Sequence, residues 1–116
     1  MCMGYTEALK AAGAKVLSFE SFGSYQGDWY AKVFYQGETL LIAGAFGSCS
    51  HCDAFEAEFG YDYDRGSEEY HDRLVRFGEG YLDDPRDPTV ELSRAKEDAE
   101  WDMESREMAE WLEKNF

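Results

Sequence analysis

A two-residue link, Gln36-Gly37, limits the fold of this chain more than any other feature. Residues 29–35 before the link alternate between two faces, and residues 38–46 after it form a second run rich in apolar side chains. A two-residue link with glycine at a position that needs a positive φ joins antiparallel strands. The sequence therefore predicts a tight antiparallel hairpin. The alternation places Trp29, Ala31, Val33 and Tyr35 on one face of the first strand and Tyr30, Lys32 and Phe34 on the other.

Another strand is predicted upstream, over residues 15–22, because Leu17 and Phe19 alternate with polar neighbours. Residues 23–27 have a glycine at each end and predict a turn between this strand and the hairpin. A short helix is expected first in the chain. Thr6 is a suitable N-cap for it, and Gly13 tolerates the left-handed conformation that ends many helices.

The second half of the chain has helical patterns. Ser50 can cap a first helix that ends at Gly60, and residues 61–66 then predict a loop. Ser67 can cap the next helix, although Gly78 and Gly80 weaken its last turn. The apolar stripe of this helix consists of Tyr70, Leu74, Phe77 and Tyr81.

A long C-terminal helix is predicted from the pair Asp87-Pro88, which suits an N-cap followed by a first helical residue, to about Lys114. At 100° per residue its apolar side chains form two stripes on nearly opposite sides. One stripe holds Leu92, Ala95, Ala99 and Met103, and the other holds Val90, Trp101, Met108 and Leu112. A helix that only covers a sheet needs one apolar face, so the second face is buried in the chain's own core or binds a partner.

These patterns together predict an α+β fold: a small antiparallel sheet of about three strands, with helices packed on one face and a long C-terminal helix. The length of 116 residues fits a single domain over residues 1–116. Within that domain, residues 1–46 supply a helix and the strands, and residues 47–116 supply an acidic helical half.

The formal net charge of −14 arises from 25 acidic and 11 basic side chains. Residues 53–116 hold 21 of the acidic and 8 of the basic side chains, so nearly all of the excess lies in the second half. Such a surface repels nucleic acids and anionic membranes and attracts basic proteins. We therefore expect a protein partner with a basic surface, such as a nucleic-acid-binding enzyme, and no direct contact with nucleic acid or membrane. An apolar run of 18 residues and a secretory signal are both missing from the sequence, which favours the cytoplasm.

The segment Cys49-Ser50-His51-Cys52 allows three interpretations. The two thiols could form a redox pair near a helix start, although a proline loop of the thioredoxin type has no counterpart here. They could bind zinc, but a structural site needs four ligands. The third interpretation is structural, with the cysteines as small buried side chains. The candidate metal ligands are Cys49, Cys52, His51, His71 and Cys2.

Carboxylates at Asp62, Asp64 and Glu68 resemble half of a calcium loop, but Gly66 is one place early and the glutamate expected at the twelfth position is missing. No motif for a nucleophile elbow, a phosphate loop or a zinc protease is present, so no catalytic residue is assigned and an enzyme is not expected. No cofactor is expected either, with zinc as the alternative. The strand aromatics Trp29, Tyr30 and Phe34 could stack bases, but a basic groove does not accompany them, and packing is the favoured interpretation.

The C-terminal segment carries the candidate partner-binding residues, because it combines bulky apolar side chains of the type found at interface centres with many carboxylates. They are Asp98, Glu100, Trp101, Asp102, Glu104, Glu107, Met108, Glu110 and Trp111.

Two segments, Gly23-Ser24-Tyr25-Gln26-Gly27-Asp28-Trp29 and the run from Gly47 to Glu56 that spells G-S-C-S-H-C-D-A-F-E, resemble a family of small phage and bacterial proteins. The resemblance covers about the middle third of the chain and transfers no site residue. It implies a setting in which small acidic proteins block host defence enzymes. The leading hypothesis, motivated by the net charge of −13 over residues 53–116, is a protein-binding module, such as a phage-encoded nucleic-acid mimic that inhibits a CRISPR effector. The alternatives are a thiol or zinc module at Cys49 and Cys52, and a homodimer formed through the two-sided C-terminal helix.

Overall fold

The predicted hairpin at Gln36-Gly37 is confirmed. The computed structural model describes residues 3–23, 27–46 and 67–116. Strands β2 (Gly27–Tyr35) and β3 (Glu38–Phe46) pair antiparallel, with Tyr35 opposite Glu38. Gln36 has a φ of 51° and Gly37 a φ of 82°. Both values lie in the left-handed region, as a tight turn that follows the twist of the two strands requires.

Strand β1 (Lys15–Gly23) pairs antiparallel with β2, so the order in this three-stranded sheet of the described residues is β1-β2-β3. The register shifts between Val16 and Ser18, which leaves Leu17 in a bulge. Phe19 stacks against Trp29 with ring centroids 5.4 Å apart, whereas Leu17 is 46% exposed. The expectation that Leu17 and Phe19 belong to one regular alternation was therefore wrong, because a bulge changes the face of every residue before it.

Helix α1 (Met3–Ala11) begins earlier than the sequence indicated. Thr6 lies inside the helix and does not cap it, because the buried stripe of Tyr5, Ala8 and Leu9 extends the helix toward its N-terminus. The Tyr5 hydroxyl donates a hydrogen bond to the Ala45 carbonyl of β3 at 3.1 Å. The predicted end is confirmed, because Gly13 has a φ of 102° directly after the last turn.

Helix α2 (Glu68–Leu82) follows the prediction closely. The Ser67 side chain accepts a hydrogen bond from the Tyr70 amide at 3.1 Å, which confirms the N-cap. The helix continues through both glycines to Leu82. Gly78 lies at the crossing with α1, where a Cβ atom would come 2.6 Å from the Ala8 carbonyl carbon. A residue that weakens a helix locally thus allows the two helices to approach closely.

The core lies between the two helices and the face of the sheet that carries Trp29. The Trp29 ring lies over Gly44, where a Cβ atom would be 2.6 Å from the indole carbon Cε2. The aromatic rings of Tyr5 and Tyr81 lie 5.0 and 5.2 Å from that of Trp29. The other buried members of this core are Ala8, Leu9, Ala14, Ala31, Val33, Ile42, Tyr70, Leu74 and Leu82.

The aromatic side chains of the sheet pack instead of forming a flat exposed platform. Trp29 and Tyr30 are 0% and 2% exposed, although they point to opposite faces. Phe34 alone of the three candidates is substantially exposed, at 46%. The base-stacking interpretation is therefore excluded for Trp29 and Tyr30, and the packing interpretation is confirmed for them.

The C-terminal segment contains two helices, α3 (Pro88–Asp98) and α4 (Met103–Asn115). The Asp87 carboxylate accepts a hydrogen bond from the Thr89 amide at 2.9 Å, so the predicted cap and the proline start are confirmed. The prediction of one uninterrupted helix from Asp87 to Lys114 was wrong. The chain leaves the helix after Asp98, and Asp102 starts a new one.

The α+β class is confirmed, with a three-stranded antiparallel sheet, helices packed on one face and a C-terminal helix of 13 residues. The chain divides into two compact units, Met1–Pro85 and Arg86–Phe116. Contacts between α3 and α4 hold the second unit together, with an ion pair of 3.0 Å between Lys96 and Glu113. The single domain over residues 1–116 stays a prediction, and the helix predicted from Ser50 to Gly60 and the loop at 61–66 lie outside the described residues.

Candidate functional site

The connection between α3 and α4 forms a defined turn, called here the Trp101 turn and comprising residues 98–104. The Asp98 carbonyl accepts hydrogen bonds from the amides of Trp101 and Asp102, both at 3.0 Å. Both carboxylate oxygens of Asp102 are used. Oδ1 accepts from the Glu104 amide at 3.1 Å, and Oδ2 accepts from the Ser105 hydroxyl at 3.0 Å. Aspartate favours this N-cap role over a position inside a helix, which explains why the helix breaks here without glycine or proline.

Trp101 presents its indole to solvent at the tip of this turn. It is 85% exposed, and Met103 two residues later is 68% exposed. The two bulky candidates further along α4 are placed differently, because Trp111 is 6% exposed and Met108 is half-buried. The ring centroids of Trp111 and Phe116 are 6.1 Å apart. The accessible aromatic side chain of the second unit's candidate set is therefore Trp101.

Most of the candidate carboxylates surround the turn or follow it on the exposed side of α4. Residues 97–110 contain seven acidic side chains and one basic side chain, Arg106. The Arg106 guanidinium donates to the Ala99 carbonyl at 3.4 Å, so this cation is directed to the backbone of the turn. Glu104 is half-buried. The exposed candidate carboxylates are Asp98, Glu100, Asp102, Glu107 and Glu110.

Helix geometry places Met103 in line with the carboxylates of α4. Residues at i, i+4 and i+7 share one side of a helix, and Met103, Glu107 and Glu110 have this spacing. All three are exposed, whereas Ser105, Ala109 and Leu112 on the opposite side are buried. The turn and this side of α4 together give one acidic surface that begins with two exposed apolar side chains.

Met103 does not belong to the apolar stripe predicted for it. When one continuous helix was assumed, Met103 shared a stripe with Leu92, Ala95 and Ala99. The break at residues 99–102 removes that relation, and Met103 becomes a neighbour of Trp101. The useful signal was Asp102, because aspartate is among the residue types preferred at helix N-caps.

Most of the candidate metal ligands lie outside the described residues. His71 is exposed in the first turn of α2, beside a shallow depression lined by Ser67, Glu68, His71 and Asp72. Cys2, Cys49, His51 and Cys52 lie outside the described residues, as do Asp62, Asp64 and Gly66. Within residues 3–23, 27–46 and 67–116, no group of three histidine, cysteine or acidic side chains is arranged to hold a metal ion.

No family model, curated protein or solved structure matches this chain. Among the helices of the described ranges, none combines the length and the apolar character needed to cross a bilayer.

Proposed function

We propose that this chain is a protein-binding module that captures a partner with a basic surface through the Trp101 turn and the exposed acidic side of α4. The observation that carries the proposal is the 85% exposure of Trp101 within a segment of seven acidic side chains and one basic side chain. Neither feature alone would suffice, because single exposed apolar residues and excess carboxylates are both common on soluble proteins.

In protein interfaces, large apolar side chains supply most of the binding energy and charged side chains speed the encounter, and this surface has both. Tryptophan and methionine supply large contact areas and are enriched where binding energy is concentrated. Exposed carboxylates raise the rate of encounter with a basic partner and lower it for polyanions. Trp101 and Met103 would therefore anchor the complex, and Asp98, Glu100, Glu107 and Glu110 would guide its formation.

A narrower form of the proposal makes the partner a nucleic-acid-binding enzyme, such as a CRISPR effector blocked by a phage-encoded inhibitor. The exposed carboxylates Glu107 and Glu110 lie three residues apart on α4, so they are about 4.5 Å apart along the helix axis. Phosphates on one strand of DNA recur at about 3.4 Å along its axis. The spacing is comparable, and carboxylates on α4 could thus occupy phosphate sites of such an enzyme.

The first test compares partner capture by two variants that lose the same charge at different places. The test variant carries Glu100→Gln, Glu107→Gln and Glu110→Gln, and it spares Asp102 because that carboxylate caps α4. The control variant carries Glu69→Gln, Glu79→Gln and Asp84→Asn, which are exposed positions of the first unit. Capture from lysate of the source organism, quantified by mass spectrometry at several salt concentrations, identifies the partner.

A partner should be retained by the natural chain and the control variant, lost from the test variant, and released as salt rises. Equal retention by both variants contradicts the proposed surface. For the narrower form, a DNA or RNA oligonucleotide that binds the purified partner should compete with this chain. Simultaneous binding of the oligonucleotide and the chain would refute nucleic-acid mimicry while leaving the protein-binding module intact.

A further inference from the structure

We infer that Trp101 receives an arginine side chain of the partner, whose guanidinium stacks on the indole face while carboxylates of the same turn neutralise its charge. This inference rests on the proposed function and names the chemistry of its central contact. Its basis is an 85% exposed indole in the same turn as the exposed carboxylates Asp98 and Glu100.

The turn holds the Trp101 backbone in place before any partner arrives. The Trp101 amide donates to the Asp98 carbonyl at 3.0 Å, and the neighbouring Asp102 is fixed through its own amide and both carboxylate oxygens. A side chain presented from a fixed backbone loses less conformational freedom on binding than one presented from a loose loop. The indole is thus prepared for contact.

The charge around Trp101 selects a cation over an apolar occupant. Asp98 and Glu100 are exposed in the same turn, and Met103 is the apolar neighbour next to them. The Arg106 guanidinium donates to the Ala99 carbonyl, and Trp101 stays 85% exposed, so this internal cation does not cover the indole. A positive charge over the face of tryptophan is attracted by the ring, and nearby carboxylates add to that attraction.

Arginine fits this site better than lysine. Its planar guanidinium stacks on an aromatic face and can still donate in its own plane to a carboxylate, whereas the lysine ammonium is a compact and strongly hydrated charge. The surface should therefore distinguish two peptides of equal charge. A cation–π contact at an exposed site strengthens binding by about 2- to 5-fold, so the preference for arginine over lysine should be at most about 5-fold.

The experiment titrates the complete chain with octa-arginine and octa-lysine peptides at low salt, using calorimetry for affinity. Nitrogen-resolved spectra report the indole N–H signals of the three tryptophans separately. Trp101→Leu removes the aromatic face, and Trp101→Phe retains a smaller one. Val90→Ala is the matched control, because Val90 is an apolar residue of the same unit that is 52% exposed and outside the turn.

The inference predicts that the natural chain binds octa-arginine more tightly than octa-lysine, by up to about 5-fold, with the Trp101 indole signal shifted most. Trp101→Leu should weaken octa-arginine binding by about 2- to 5-fold and octa-lysine binding by less, so that the preference disappears. Trp101→Phe should retain part of the preference, and Val90→Ala should retain all of it. Equal affinities of both peptides, unchanged in Trp101→Leu, overturn the arginine contact but not the acidic binding surface. Failure of both peptides to bind the natural chain overturns the inference together with the proposed function.

Discussion

Replacement of Gly78 by alanine tests how closely α1 and α2 pack. A Cβ atom at Gly78 would lie 2.6 Å from the Ala8 carbonyl carbon and 3.0 Å from the Ala12 Cβ atom, and still closer to the Ala8 carbonyl oxygen. Carbon atoms pack best at about 3.5 to 4.0 Å, so the two helices would have to separate by about 1 Å. The two nearest opposing atoms belong to the Ala8 backbone and the third is an alanine Cβ atom, so a side-chain rotation cannot make room.

The expected cost follows from two opposed terms. Overpacking a filled core costs about 1 to 3 kcal/mol, and a backbone clash belongs at the upper end of that range. Alanine has the higher helix propensity and recovers about 1 kcal/mol. The net loss of unfolding free energy should therefore be about 2 kcal/mol. With a urea dependence of roughly 1 to 3 kcal/mol per molar, the unfolding midpoint falls by about 1 M.

Gly80 provides the control in the same helix. A Cβ atom there would meet no atom within 4 Å among the described residues, and the position is exposed. Gly80→Ala should therefore stabilise the protein by up to about 1 kcal/mol through helix propensity alone. Urea titration followed by circular dichroism measures both variants. If Gly78→Ala proves as stable as Gly80→Ala, the close contact between α1 and α2 is refuted.

Two further predictions concern turns. Asp102→Ala removes the N-cap of α4 and should lower the unfolding free energy of the second unit by about 1 kcal/mol, as measured by thermal unfolding. Asp102→Asn should retain most of the natural stability, because asparagine also caps helices. If Asp102→Ala is as stable as the natural chain, the capping role is contradicted. Gln36→Asn should raise the unfolding free energy by roughly 0.5 kcal/mol, because asparagine tolerates the left-handed φ of 51° better than glutamine. A lower urea midpoint for Gln36→Asn would show that the exposed bond from the Gln36 amide to the Tyr35 hydroxyl outweighs this gain.

The hairpin and the helix caps could be predicted because they depend on neighbouring residues. The pair Gln36-Gly37, the cap Ser67 and the pair Asp87-Pro88 each determine local backbone geometry, and each was placed correctly. The start of α1 was misplaced because tertiary burial decided it. Tyr5 is 1% exposed and packs against Trp29, and these contacts prevailed over the local capping preference of Thr6.

The candidate site was only partly predictable for a similar reason. Two apolar stripes on opposite sides of one predicted helix were a sign of a chain break, since each of two helices packed together needs only one buried side. Asp102 marked the break, but helix periodicity is read from the apolar residues and does not register a single polar residue. Exposure separated Trp101 from Trp111, and exposure depends on how the helices pack rather than on the residue type.

The parts of the aromatic core also become available one after another during translation. The hairpin and β1 can pair once Phe46 has been made, but only α1 then covers the Trp29 face, through Tyr5, because Tyr81 belongs to α2. Translation proceeds at about 5 to 20 residues per second, so roughly 2 to 7 s separate Phe46 from Leu82. During that interval the part of the Trp29 face that α2 covers in the folded protein is exposed, and it offers an apolar surface to a ribosome-associated chaperone.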